Sequence, residues 1–151
     1  MASNSSQDHD NPPAAYEPPR SAEELLRRYT AGERYFPEAD IPENSSLRDA
    51  VLAGAYFKDA WLSSVDFRGA ILRECRFEGG NVKCSDFRGA DLRGAVFTGT
   101  HVEATEWDEA NVAGADFAEA FAYGSAIRDS EFLKGILISV TPNDHTKEDP
   151  R

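Results

Sequence analysis

"CSDFRGADLRGAVFTG", residues 84–99, sets large apolar residues five apart: Phe87, Leu92 and Phe97. No regular element explains that spacing. A helix stripe recurs every three or four residues, and one face of a strand recurs every two. A step of five carries a helix side chain roughly 140° further round, and on a flat strand an odd step moves it to the opposite face. The pattern extends far beyond this stretch. Steps of five from Leu47 to Leu137 land on nineteen positions, and only Ala122 is not large and apolar. The residue two before each is mostly small, as at Ala55, Ala60, Ala90 and Ser85, with Val65 the bulkiest exception. The residue two after is often glycine, as at Gly69, Gly89 and Gly94. A repeat this regular is read before any local element.

Positions two apart on an extended segment share a side, so the small and the large residue both point inward. The residue between them points out. The next two residues suit a corner that needs positive φ. Each unit of five is then one straight side and one turn, and the chain winds into a coil. At a step of 20 the core residues sort like with like. Phe57, Phe77, Phe97 and Phe117 form one column, and Phe67, Phe87, Trp107 and Ile127 another. Leu52, Leu72, Leu92 and Val112 form a third, and Leu62, Val82, Val102 and Ala122 the fourth. A step of 15 mixes aromatic and aliphatic residues, so four sides per coil are favoured over three; a step of 10 fits equally well and leaves two sides open. With four sides, the aromatic columns face each other across the square. The expected core is Phe57, Phe67, Leu72, Phe77, Phe87, Leu92, Phe97, Trp107 and Phe117.

The segments "ADLRG", "ANVAG" and "ADFAE" resemble the A(D/N)LXX unit of the pentapeptide repeat family. The resemblance covers residues 36–138 and implies an all-β fold, a right-handed quadrilateral β-helix. About 4.75 coils from Leu47, at ~4.8 Å per layer, make a rod ~23 Å long. Residues 1–20, rich in Pro, Ser and Asn, read as a disordered tail. Residues 21–35 read as a helix that covers the first coil. Ser21 and Glu24 make a capping box, Leu25, Leu26 and Tyr29 an apolar stripe, and Gly32 a stop. Phe36 and Ile41 already keep the five-residue step. The next core residue is Leu47 rather than residue 46, so one residue is inserted in "PENSS", as a bulge or wide corner. Residues 139–151 read as a C-terminal tail.

Several residues near the C-terminal end are apolar at outward positions: Phe121, Tyr123, Leu133, Ile136 and Ile138. A β-helix end exposes unpaired backbone. The quinolone-resistance members of the family dimerise end to end through their C-terminal coils, and the resemblance implies a homodimer here. A second outward apolar group, Val51, Tyr56, Trp61 and Ile71, is a candidate partner surface. So is the acidic set Glu103, Glu106, Asp108 and Glu109.

Net charge is −11 but uneven. Residues 47–100 carry seven acids against eight bases, and residues 101–137 eight acids against two. That excess argues against direct nucleic-acid binding, which needs phosphate neutralisation. No apolar run is long enough to span a membrane, and the N-terminus lacks a secretory h-region. Two cysteines are too few for a disulfide framework, so the expected location is the cytoplasm. No nucleophile elbow, phosphate loop or metal-ligand spacing occurs. The outward Asp or Asn belongs to the repeat itself. The expectation is a protein without enzymatic activity, cofactor or metal: a binding scaffold for an unknown protein partner. The alternative is an acidic DNA mimic that binds DNA gyrase or topoisomerase IV, type II topoisomerases, as some members of the family do.

Overall fold

The computed structural model describes residues 15–122 and the backbone of residues 125–126. From residue 35 onward the chain repeats one device. A single bridging residue is followed by the large core residue, then by a two-residue turn. Bridges run parallel between residues 20 apart, from Ser46↔Asp66 to His101↔Phe121. Four sides therefore complete one coil. At most corners the amide of the small residue donates to the carbonyl of the preceding core residue, as in Ala90 N to Phe87 O at 3.0 Å. The residue before the small one has positive φ, as in Gly89 at 71° and Gly94 at 71°. That is the mark of a type II turn and the reason glycine recurs there.

The aromatic columns stand as the spacing predicts. Phe57 and Phe77 stack at 5.5 Å, Phe77 and Phe97 at 4.8 Å, and Phe97 and Phe117 at 4.9 Å between ring centres. On the opposite side Phe67 and Phe87 stack at 5.0 Å, and Phe87 and Trp107 at 4.8 Å. The columns meet edge to face through the middle, with Phe87 and Phe97 6.0 Å apart at 85°. Leu72 and Leu92 fill a third side, and all nine expected core residues are buried.

The inserted residue is also where the spacing puts it. Tyr35↔Tyr56 and Asp40↔Trp61 are 21 apart, whereas every later bridge is 20 apart. Ser45 N closes its turn on Pro42 O rather than on Ile41, so Pro42 is the extra residue of a bulge. The repeats thus begin at Tyr35, and Phe36 stacks on Phe57 at 6.0 Å.

Helix α1, Ala22–Thr30, is shorter than the predicted 21–35. Ser21 Oγ accepts from Glu24 N at 3.0 Å, while the Glu24 carboxylate reaches Arg20 N rather than Ser21. Gly32 N donates to Tyr29 O and Glu33 N to Arg28 O, a Schellman stop at the expected glycine. Leu25 is fully buried against the coil, and Tyr29 Oη donates to Ala53 O at 2.7 Å. One expectation fails here. Residues 15–20 are not a tail: Tyr16 Oη donates to Pro37 O at 2.9 Å, and Pro19 O accepts from Asp40 N at 3.0 Å. Tyr16 also meets the Tyr35 ring edge-on at 5.2 Å. Tyrosines about twenty residues apart attach this segment to the first coil despite its proline content.

At the other end the described pairing changes at residue 121. Strand β1, Phe121–Ala122, pairs antiparallel with β2, Ser125–Ala126, where a corner and a new side were expected. Tyr123, Leu133, Ile136 and Ile138, and most of the segment assigned to a dimer interface, lie outside the described residues.

One corner is closed by a side chain from the next coil. Val65 occupies a small-residue position, and its amide donates to Ser85 Oγ at 2.9 Å instead of closing its own turn. Ser85 Oγ donates in turn to Leu62 O at 2.7 Å. The hydroxyl bridges the two backbone groups of a turn that has no closing amide bond of its own. Ser85→Ala, although alanine is the commonest residue at this position, should therefore cost about 1–2 kcal/mol by orphaning two buried backbone groups. Urea unfolding of the variant measures it. Ala90→Ser, by contrast, meets a closed turn and rescues nothing.

Candidate interaction faces

The outward residues form four rows. One holds Tyr35, Tyr56, Arg76, Val96 and Asp116, and the next Asp40, Trp61, Asn81, His101 and Phe121. The third holds Ser46, Asp66, Asp86 and Glu106, and the fourth Val51, Ile71, Asp91 and Asn111. The predicted apolar patch does not exist as one surface. Val51 and Ile71 are neighbours, but Trp61 lies on the opposite face and Tyr56 on a third. Tyr56 is only 3% exposed, because Tyr35 stacks on it at 5.6 Å and the Arg76 guanidinium covers it at 5.5 Å. Among the described residues, Trp61 and Val51 are the large apolar side chains left exposed, at 53% and 56%.

The recurrent outward Asp or Asn has a local task. Its Oδ1 accepts from the amide two residues on: Asp66 from Arg68 N at 3.0 Å, Asn81 from Lys83 N at 2.9 Å, Asp116 from Ala118 N at 3.0 Å. Each is an Asx turn that turns the chain into its corner. Where arginine follows, its guanidinium forks the same carboxylate. Arg88 Nη2 lies 2.6 Å from Asp86 Oδ2, and Arg68 Nη2 2.9 Å from Asp66 Oδ2. Asp91 receives both Arg93, at 2.8 Å, and Arg73 from the coil before, at 2.7 Å. Hydrogen bonds from Arg68 and Arg88 hold the Asp66 and Asp86 carboxyls below their usual range. Burial alone would raise Asp91, but the two guanidinium groups outweigh it and bring it down to about 2. The charges of the first coils are thus largely zipped together.

The upper coil lacks these cations. Residues 101–122 contain six acids and no lysine or arginine. Among the described residues the Glu106 carboxylate meets one cation, Arg88 of the coil before, at 3.8 Å. Asp108 and Glu109 are exposed at the next corner, and Glu103 stands one corner earlier. Phe121 does not turn inward; its ring stacks on His101 at 5.1 Å in the outer row.

Trp61, Asn81 and His101 line a groove of about 310 Å³, closed by Asp59 and Gly79 at one corner and Lys83 at the other. The sequence reading singled out Trp61 and missed the rest. Among the described residues no cluster of His, Cys, Asp and Glu could hold a metal ion, and no helix is long and apolar enough to cross a membrane. Cys75 and Cys84 are free thiols, and burial pushes Cys75 up to about 12.

The family model for pentapeptide repeats matches residues 43–69 and 70–105, with eight copies of the repeat. No curated protein matches the chain. Among solved structures, the pentapeptide repeat protein Rfr23 from the cyanobacterium Cyanothece 51142 is 23% identical, with a TM-score of 0.54 over 64% of this chain. The match spans 62% of Rfr23, less than two thirds of its length. The pentapeptide repeat protein alr5209 from Nostoc Pcc 7120 is 26% identical, with a TM-score of 0.52 over 80% of this chain and 97% of its own. QnrB1, a plasmid-mediated fluoroquinolone resistance protein, is 17% identical, with a TM-score of 0.34 over 56% of this chain and 58% of its own.

Proposed function

We propose that this chain, which belongs to the pentapeptide repeat family, is a non-catalytic scaffold that presents its flat outer rows to a protein partner in the cytoplasm. In the same reading its coil is right-handed, as in the family, and two chains join through their C-terminal coils. The observation that carries the scaffold reading is where the outward carboxylates go. Asp66, Asp86 and Asp91 are held by turn amides and guanidinium groups and kept ionised. A general acid needs a carboxyl raised towards neutral pH, and these are moved the other way. The interior supports the same reading, since two aromatic columns meet across it. Repeat solenoids bind through surface spread over many units. The test is affinity purification from native host extract, with the captured protein then purified. Saturable binding of that protein at fixed stoichiometry supports the scaffold. Elution of the chain alone at low salt counts against it.

A second reading is favoured by one feature, the run of six acids without a lysine or arginine in residues 101–122. It makes the chain a duplex-like acidic ligand of DNA gyrase or topoisomerase IV. The guanidinium groups along the first coils oppose it, because a phosphate-like surface has no place for them. A gyrase supercoiling assay separates the two. The scaffold reading expects unchanged supercoiling at large molar excess, and the mimic expects dose-dependent inhibition.

A further inference from the structure

Asn81 differs from the other outward residues of the Asx turns. It is 5% exposed, yet only its Oδ1 is engaged, by Lys83 N. Its Nδ2 has no hydrogen-bond partner among the described residues, and Asn81 lines the groove with Trp61 and His101. Asp66, Asp86 and Asp91 perform the same turn with a carboxylate, so the turn itself does not call for an amide donor here. An N–H with no partner in the chain is free to donate to a ligand that enters the groove. Lys83, at the rim of the same groove, makes no ion pair among the described residues, in a coil where the arginines are paired. At the opposite rim Gly79 leaves room for the Asp59 carboxylate. A Cβ on Gly79 would lie 2.5 Å from Asp59 Oδ1. Gly80 forms the floor, where an added Cβ would meet Ala60 O at 2.7 Å. The groove is only half enclosed, so it suits a chain lying on one face more than an enclosed small molecule.

We propose that this groove binds an extended segment of a partner protein in which an apolar residue sits beside an aspartate or glutamate. This rests on the scaffold reading and names one face of it. Asn81 Nδ2 donates to a main-chain carbonyl of the segment, and Lys83 pairs with its carboxylate. The exposed indole of Trp61 covers the apolar side chain, and Asp59 accepts from a main-chain N–H at the far rim. Charge complementarity fixes the direction, with the acidic residue towards Lys83 and away from Asp59.

A heptapeptide phage library panned against the full chain tests this, followed by titration of synthetic enriched peptides monitored by tryptophan fluorescence. The expected peptides pair an apolar residue with an acidic neighbour. Trp61→Ala and Asn81→Asp should each weaken them at least tenfold. Asn81→Asp keeps the Oδ1 acceptor for Lys83 N and so should melt with the parent. Should it not, the exposed Trp61→Ala and the rim variant Lys83→Gln carry the test. Lys83→Gln should weaken the acidic peptide and leave its amide counterpart unaffected. Peptides that bind all three variants as tightly as the parent overturn the groove while leaving the scaffold standing. A failure to enrich any peptide also overturns it, and the scaffold is then judged by whether the Trp61→Ala protein still retains a native partner.

Discussion

Phe87→Ala should lower the stability of the chain by about 3–5 kcal/mol, the largest loss expected from any single substitution in the coil. The ring lies at the centre of both kinds of contact. It stacks on Phe67 at 5.0 Å and on Trp107 at 4.8 Å. It also meets Phe77 at 6.4 Å and Phe97 at 6.0 Å edge to face. Removing it opens a cavity bounded by four rings. Those rings belong to coils held in register by backbone hydrogen bonds, such as Phe67 N to Asp86 O and Phe87 N to Glu106 O. The coils cannot close on the gap without breaking that register, so little of the cavity collapses. At about 2–4 °C per kcal/mol for a chain of this size, the melting temperature should fall by roughly 6–20 °C. Phe117→Ala should cost less, because Phe117 is already 9% exposed. Equal melting temperatures for Phe87→Ala and the parent would mean that the two aromatic columns do not meet.

The step of five and the step of 20 were legible because each core position repeats the same demand: one large side chain filling one quarter of a layer. The single break in the pattern, between Ile41 and Leu47, could be placed for the same reason. What escaped the reading lay on the outside. Val51, Tyr56, Trp61 and Ile71 look like one apolar group in the sequence, but an outward residue changes face at every step of five. The step of 20 that sorted the phenylalanines also sorts these, and it sets Trp61 beside Asn81 and His101 rather than beside Val51. The burial of Tyr56 was less accessible. It depends on Tyr35, which the extra Pro42 shifts to a spacing of 21, and on Arg76 of the following coil. Residues 15–20 misled because proline-rich composition reports what a segment lacks. It does not report that Tyr16 finds a ring and a carbonyl on the first coil. The arginine forks join residues two apart across a corner, which alternation along a strand assigns to separate local roles.

Those forks give the second large effect, at Asp91. Asp91→Asn should cost about 1.5–3 kcal/mol at pH 7, the range for hydrogen bonds to charged groups. The substitution is chosen to isolate charge. Asn111 stands in the same row one coil later and accepts from Ala113 N at 3.1 Å, so an amide performs the turn there. What the variant loses is the carboxylate between Arg73 and Arg93, which is 8% exposed and so is screened less than a surface pair. The pH dependence follows from the same group. Its folded carboxyl titrates at about 2, below the ordinary carboxylate value. The ionised form therefore favours the fold above about pH 4, and that contribution is lost as pH falls towards 2. The Asp91→Asn variant has no such titration at this position, so the gap between parent and variant should be widest near neutrality and shrink through that window. Asp66 and Asp86 are also held low and remain in the variant, which should still lose some stability in acid. Urea unfolding at several pH values from 7 to 2 measures the gap directly. A gap that stays constant with pH would assign the loss to the shape of the turn, and the two guanidinium groups would then contribute nothing to holding adjacent coils together.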